Sequence, residues 1–292
     1  MLYLTYFGLL AFVCWCISGV WFGEPLVRAP RRKLTQAEIF NRWLQSWQLL
    51  GTSGGALSQL AAVPSYKFFG RLAEEGLRQA RTFGSFPREL IWEWRDGVAR
   101  EKAFDERTRS IRISAYLQFV LFTVITWVLV HMTKDVAGNI SPAIYLVMLL
   151  LQLGGSFAFA PVLAFSQKQR LAGFSELLES LYVLRTLSAA NLPTSKVISE
   201  ARLESLAKTK NAVLVPLRER VEELARLYQK QGGALGREAQ ILLQEVWFLR
   251  EEGMNQLAKT AEGLKLIFLL CFYAGPYFIF LAALMFEVLQ TS

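Results

Sequence analysis

Apolar and polar positions fall in long blocks along this chain. Four apolar runs stand out: Leu2–Trp21, Ile113–Met132, Ala143–Phe165 and Leu264–Leu289. The last holds 26 residues with only Lys265 and Glu287 charged. A run of roughly 20 apolar residues crosses a bilayer as a helix, and tilt absorbs any surplus. Between the runs lie two polar blocks with apolar residues at helical spacing.

In the first polar block, Thr35-Gln36-Ala37-Glu38 has the spacing of a capping box, with Thr35 as N-cap and Glu38 three residues on. Ile39, Trp43, Trp47 and Leu50 follow at helical spacing, and the glycines from Gly51 to Gly55 break that helix. A short segment, 56–62, is stopped by Pro64. Phe68, Leu72, Leu77 and Ala80 outline another helix, ending near Gly84; Pro87 opens a third with Leu90, Ile91, Trp94 and Val98 inward. Trp43, Trp47, Trp92 and Trp94 read as bundle core, with a binding surface as the alternative. In the second block, Phe174, Leu177, Leu178, Leu181, Leu184 and Leu187 mark a long amphipathic helix that the stretch Ala189 to Thr194 breaks. Val213, Leu217, Val221, Leu224 and Leu227 outline the next helix, broken at Gly232-Gly233. Leu242, Leu243, Val246, Leu249, Met254 and Leu257 belong to a last helix that runs on into the final apolar run.

Within the runs, Gly154, Gly155, Ser156 and Ala158 form a small-residue face suited to close helix packing. Pro161 and Gly275-Pro276 predict kinks, because proline removes a backbone donor. The pattern therefore predicts an all-α fold: a polytopic membrane protein with about four transmembrane helices and two cytoplasmic helical-bundle domains. The expected boundaries are an N-terminal transmembrane helix at 1–22, a first cytoplasmic domain at 23–112, and a transmembrane helix at 113–132. A periplasmic loop follows at 133–142, then a transmembrane helix at 143–165, a second cytoplasmic domain at 166–263, and a C-terminal transmembrane helix at 264–289.

Charge sets the expected orientation. The formal net charge is +8, and mean hydropathy is +0.30. Lys and Arg outnumber Asp and Glu by 16 to 10 between Phe22 and Arg112, and by 15 to 12 between Ser166 and Lys265. Lys134 and Asp135 balance each other in the remaining loop. By the positive-inside rule both polar blocks face the cytoplasm, and both termini face the periplasm. The first run carries its basic group after it, at Arg28, Arg31, Arg32 and Lys33, so it is expected to be an uncleaved anchor; a cleaved signal is the alternative. No basic patch is interleaved with aromatics as a nucleic-acid groove requires, so nucleic acid is not an expected partner.

Candidate chemistry is sparse. There is no GxxxxGK[ST] loop and no HExxH. The single histidine, His131, is expected at a membrane interface, and Cys14, Cys16 and Cys271 fall inside apolar runs as packing residues. Glu74-Glu75, Glu222-Glu223 and Glu251-Glu252 read as solvated helix faces. No catalytic residue, cofactor or metal site is expected, and the chain is not read as an enzyme.

The layout of two helical polar blocks, each followed by a span, with a short outer hairpin between, resembles the type II secretion F family. These are inner-membrane platform proteins of type II secretion, type IV pilus and Tad systems. The local likeness is in FSELLESLYVLRTLSAANLPTSKVISEA, Phe174 to Ala201, where Ala190, Leu192, Pro193, Val197 and Ala201 match the opening helix pair of that domain. Asn191 stands where the family usually has glycine. The resemblance implies a divergent member in the bacterial inner membrane, acting as a scaffold for pilus or pseudopilus assembly. Implied partners are a cytoplasmic hexameric secretion ATPase, pilin or pseudopilin subunits, other inner-membrane assembly proteins, membrane lipid and further copies of the chain. The alternative function is a small membrane transporter or transport accessory subunit.

Overall fold

The computed structural model describes residues 34–50, 60–83, 86–133, 141–189, 197, 199, 201, 211–231 and 235–291. The described residues are mostly helical, with no strand among them. The helices are α1 (Gln36–Leu50), α2 (Lys67–Phe83), α3 (Arg88–Thr133), α4 (Pro142–Leu171), α5 (Phe174–Ala189) and α6 (Val215–Gln231). Helix α7 (Leu235–Leu269) continues through a π-helical turn, Leu270–Ala274, into α8 (Gly275–Thr291). Three helical stretches, Arg88–Thr133, Pro142–Ala189 and Gly236–Leu289, contain windows long and apolar enough to cross a membrane. The first apolar run, expected as a fourth span, lies outside the described residues.

The chain divides into two compact units. The polar unit combines Arg31–Asp105 with Lys168–Asn255. The two polar blocks, expected as two domains, thus pack into one unit with a shared core. Helical periodicity reports that a face is buried but not what covers it, and here the two blocks cover each other. Phe69 of α2 meets Tyr182 of α5 edge-on at 5.3 Å between ring centroids, and Phe104 of α3 stacks on Trp247 of α7 at 6.1 Å. Gly97 makes the first contact possible, since a Cβ there would fall onto the Phe69 ring, 2.7 Å from its Cζ.

Local signals behave as their chemistry dictates. The Glu38 amide donates to Thr35 Oγ1 at 3.3 Å and the Thr35 amide to Glu38 Oε2 at 3.0 Å, so the capping box is formed in both directions. Leu90, Ile91, Trp94 and Val98 are buried, as are the six apolar positions of α5. Helix α1 is rotated from the expected face: Phe40, Trp43, Leu44 and Trp47 are buried while Ile39 is exposed. Four of the predicted inward positions in the later helices deviate, with Val213 and Leu227 exposed and Leu224 and Leu249 only partly buried. Phe68 is partly buried and its neighbour Phe69 takes the core position.

The span unit contains Glu106–Gln167 and Gln256–Ser292. Its polarity is the reverse of a water-soluble bundle. Leu117, Leu121, Val128, Leu150, Ile267 and Phe278 point outward and are exposed, whereas Thr123, Gln152 and Ser156 are fully buried. Large exposed apolar surface around a polar interior suits a hydrocarbon surround. Phe119, Phe159 and Tyr273 form the aromatic centre, Phe119 stacking on Tyr273 at 5.2 Å and meeting Phe159 edge-on at 5.1 Å.

The Gly275-Pro276 pair is accommodated by the π turn. Pro276 has no backbone N–H, and its ring clashes with the carbonyl four residues back in an ordinary helix. The Gly275 amide instead bonds to the Leu270 carbonyl, five residues back. The wider turn resets the buried stripe, which runs Ala261, Phe268, then Tyr273, Pro276 and Phe280. Pro161 is carried inside α4 without interrupting it.

The small-residue face of α4 is divided. Gly155 packs against α7–α8, where an added Cβ would lie 2.5 Å from Phe272 Cβ, while Gly154 has open space around it. Gly155→Ala is therefore expected to destabilise the protein by about 1–3 kcal/mol through overpacking. Gly154→Ala is expected to leave stability within about 1 kcal/mol of the parent. Thermal unfolding of the detergent-solubilised variants distinguishes the two.

Candidate functional site

Two features of the polar unit combine unusual burial or exposure with charge. The first is an ionic cluster on the apolar stripes of α3 and α7. The α3 stripe Ile91, Trp94, Val98 continues to Glu101, which is only 1% exposed. The α7 stripe Leu243, Val246, Trp247 continues to Arg250, also buried. The Arg250 Nη1 donates to Glu101 Oε1, and Lys67 of α2 bonds Glu101 Oε2 at 2.5 Å and Asp105 at 2.9 Å. The Arg250 guanidinium also lies over the rings of Phe104 and Trp247, at 4.8 and 5.2 Å to their centroids. Trp247 in turn donates its Nε1–H to the buried Tyr182 hydroxyl at 3.3 Å.

Burial alone would push the Glu101 carboxyl up. The hydrogen bond and charge of Arg250, followed by those of Lys67, outweigh burial and hold it below its ordinary 4.5. Burial is also the main reason the Tyr182 phenol is pushed well above its ordinary range. The cluster is a structural clasp, in which each of its ionic groups faces an opposite charge.

The second feature is a groove of about 520 Å³ between the end of α1 and the start of α3, lined by Gln45, Gln48, Leu49, Arg88, Trp92 and Arg95. Trp92 is 54% exposed, which removes it from the expected core set. Trp92 and Trp94 are two positions apart on one helix, so they point in nearly opposite directions. Arg95 lies over the Trp92 ring at 5.1 Å and donates to Asn41 at 3.3 Å and Gln48 at 3.0 Å. The groove thus presents a held cation, a second arginine and two large apolar side chains, with no carboxylate in its lining.

The span unit holds a third polar group. Trp127 donates to Gln152 Oε1 at 3.0 Å, and the Ser156 and Tyr273 hydroxyls share a hydrogen bond. The Tyr273 hydroxyl also lies 3.4 Å from the Gln152 carbonyl. Gln152 Nε2 is buried without a hydrogen-bond partner among the described residues.

Of the family-motif positions, Ala190, Leu192 and Pro193 lie outside the described residues. Val197 and Ala201 are buried in the shared core, with the Ala201 amide bonded to the Val197 carbonyl at 3.0 Å. Glu75 pairs with Arg78 and Glu222 with Arg218 on helix faces, and Glu251 and Glu252 are exposed. Glu101 and Arg250 went unmarked in the sequence reading, although each is a charge at a position its helix's apolar stripe would bury. No family model, curated protein or solved structure matches the chain.

Removing one partner of a buried pair strands the other, at about 3–5 kcal/mol. Arg250→Met is expected to cost about 3 kcal/mol because Lys67 remains, and the double variant Glu101→Met/Arg250→Met is expected to recover much of that loss. Chemical denaturation measures both. Because the folded-state pKa of Glu101 is depressed, its contribution is present above about pH 4.5 and is lost as pH falls below it. The stability gap between parent and Glu101→Gln should therefore hold from about pH 6 down to about 4.5 and shrink as the pH falls further.

Proposed function

We propose that the chain is an inner-membrane platform protein for assembly of a type IV pilus or type II secretion pseudopilus. It couples a cytoplasmic hexameric ATPase to the extraction and polymerisation of pilin subunits. The observation that carries this reading is the continuity of α3 and α7–α8. Each begins with charged, core-forming turns and ends in an apolar stretch long enough to cross a bilayer, with no loop between. A helix without a loop transmits displacement along its axis instead of absorbing it. The polar unit, built on these two helices and clasped by Glu101 and Arg250, has the build of a lever rather than of an enzyme cleft.

In this reading the polar unit is cytoplasmic, the membrane is the bacterial inner membrane, and both termini are periplasmic. The ATPase docks through an acidic segment bearing an apolar side chain. The groove at Trp92 matches that chemistry, since two arginines line it without any carboxylate and Trp92 and Leu49 offer exposed apolar surface. Pilin subunits and other assembly proteins engage the spans, and the chain works as a homo-oligomer.

The buried Gln152–Ser156–Tyr273 group between spans favours a second reading, a small transporter or transport accessory subunit, in which these polar side chains line a path. That reading predicts substrate flux in proteoliposomes without an ATPase partner.

The test is affinity recovery of tagged, detergent-solubilised protein from its native cells, with mass spectrometry of the proteins it retains. A hexameric secretion ATPase and pilin-like subunits are expected. The exposed double variant Arg88→Glu/Trp92→Ala is expected to lower ATPase recovery at least tenfold while keeping the parent's thermal stability. Recovery of neither partner under conditions that preserve other platform–ATPase complexes would overturn the platform reading.

A further inference from the structure

A cleft of about 180 Å³ opens in the span unit between α3 and α7, with Ser110 and Ser114 on one wall and Glu262 and Lys265 on the other. Its floor includes Phe159 and Ala261, both buried. We propose that this cleft binds a phospholipid headgroup that carries both a phosphodiester and a primary amine, as in phosphatidylethanolamine.

Depth is the first argument. Arg112, between the two serines, is the last charge of α3 before its apolar run, and Lys265 is the last charge before Leu266–Phe286. Both walls therefore stand where charged sequence gives way to apolar sequence, which is the level of the headgroups. Pockets between spans at that level meet phospholipid headgroups.

The state of the polar groups is the second argument. Glu262 and Lys265 sit three residues apart and line the same cleft, yet neither forms an ion pair among the described residues. Thr123, Thr126 and Thr260 return their hydroxyls to the carbonyl four residues back. Ser110 and Ser114 form no such bond, so their hydroxyls are available to the cleft. Separate positive and negative groups with two hydroxyl donors complement a zwitterion. Lys265 and the serines face the phosphate oxygens, and Glu262 faces the ammonium. Lys265 is half-buried, and a lysine so placed can bury its methylene stem while keeping its ammonium at headgroup level.

Size is the third argument. At ~30 Å³ per water, the cleft has the volume of about six waters. That scale suits one headgroup and falls below the roughly 300 Å³ at which drug-sized ligand pockets begin. An anionic headgroup without an amine would satisfy Lys265 but bring its negative charge against Glu262. A choline headgroup offers Glu262 no N–H to accept.

The proposal rests on the membrane placement of the spans and not on the platform reading. The experiment is native mass spectrometry of the full chain released from nanodiscs that contain phosphatidylethanolamine, phosphatidylglycerol and phosphatidylcholine in equal amounts. Retained phosphatidylethanolamine is expected to exceed each of the others at least fivefold. Lys265→Met is expected to lower its retention roughly tenfold, the scale of one charge-assisted hydrogen bond. Glu262→Gln is expected to shift the retained lipid toward phosphatidylglycerol by a similar factor. Both side chains lie outside the buried core, so thermal unfolding should match the parent. Equal retention of the three lipids, a preference for phosphatidylglycerol in the parent, or an unchanged lipid ratio in Glu262→Gln would overturn the proposal. Displacement of the lipid by millimolar inorganic phosphate or soluble phosphoethanolamine would overturn the assignment to a lipid.

Discussion

The contact on which the polar unit depends is the buried pair of Glu101 and Arg250. A carboxylate at 1% exposure is tenable only beside a cation, and the cation comes from a helix 149 residues away in sequence. The pair need not add net stability, because desolvating both groups costs about what their attraction returns. Its consequence is specificity. Sliding α3 against α7 by one turn would strand Arg250 and leave Glu101 with Lys67 alone, so the register of the two longest helices is fixed at this point. Neighbouring contacts inherit that register: Arg250 lies over Phe104 and Trp247, Trp247 reaches Tyr182, and Tyr182 packs on Phe69. A chain of aromatic and hydrogen-bonded contacts thus runs from the clasp through α7, α5 and α2.

The span unit answers a different constraint. With no water in the hydrocarbon, association between spans gains little from apolar burial and relies on close packing and on polar groups turned inward. Gly155 admits Phe272, and Ser156 reaches the hydroxyl of the next residue, Tyr273. Thr123 and Thr126 return their hydroxyls to backbone carbonyls, which satisfies them within their own helix. Gln152 is the exception, with one amide hydrogen-bonded to Trp127 through its oxygen and its nitrogen unpaired among the described residues.

Much of this architecture was legible in the sequence where one local rule decided the outcome. The Thr35–Glu38 box, the stop before Pro87, the inward faces of α5 and early α3, and the three described spans each follow from residue type and spacing over a few turns. Tertiary pairing was not legible in the same way. The two polar blocks share one core because each presents an apolar stripe that the other covers, and nothing in either stripe names its partner. The tryptophans show the limit of composition: Trp43, Trp47 and Trp94 are core, but Trp92, half a turn from Trp94, faces the groove. The clasp was marked only by two charges at stripe positions, a signal readable by registering exceptions to the apolar pattern.

The π turn shows how a sequence signal can be right about place and silent about outcome. Gly275-Pro276 marks where an ordinary helix must yield, and a kink is one way to yield. A π turn is another, and it changes which residues face inward. Extending the α7 stripe from Phe268 by three or four positions leads to Cys271 or Phe272. The extra residue carries the buried position to Tyr273 instead, while Cys271 is exposed. Tyr273 is the residue that stacks on Phe119, bonds Ser156 and approaches the Gln152 carbonyl. The polar interior of the span unit is thus assembled by the backbone's answer to one missing proline N–H. A substitution that restored an ordinary helix there would move every residue of α8 about 100° around its axis relative to α7, since one residue of helix is 3.6 to the turn.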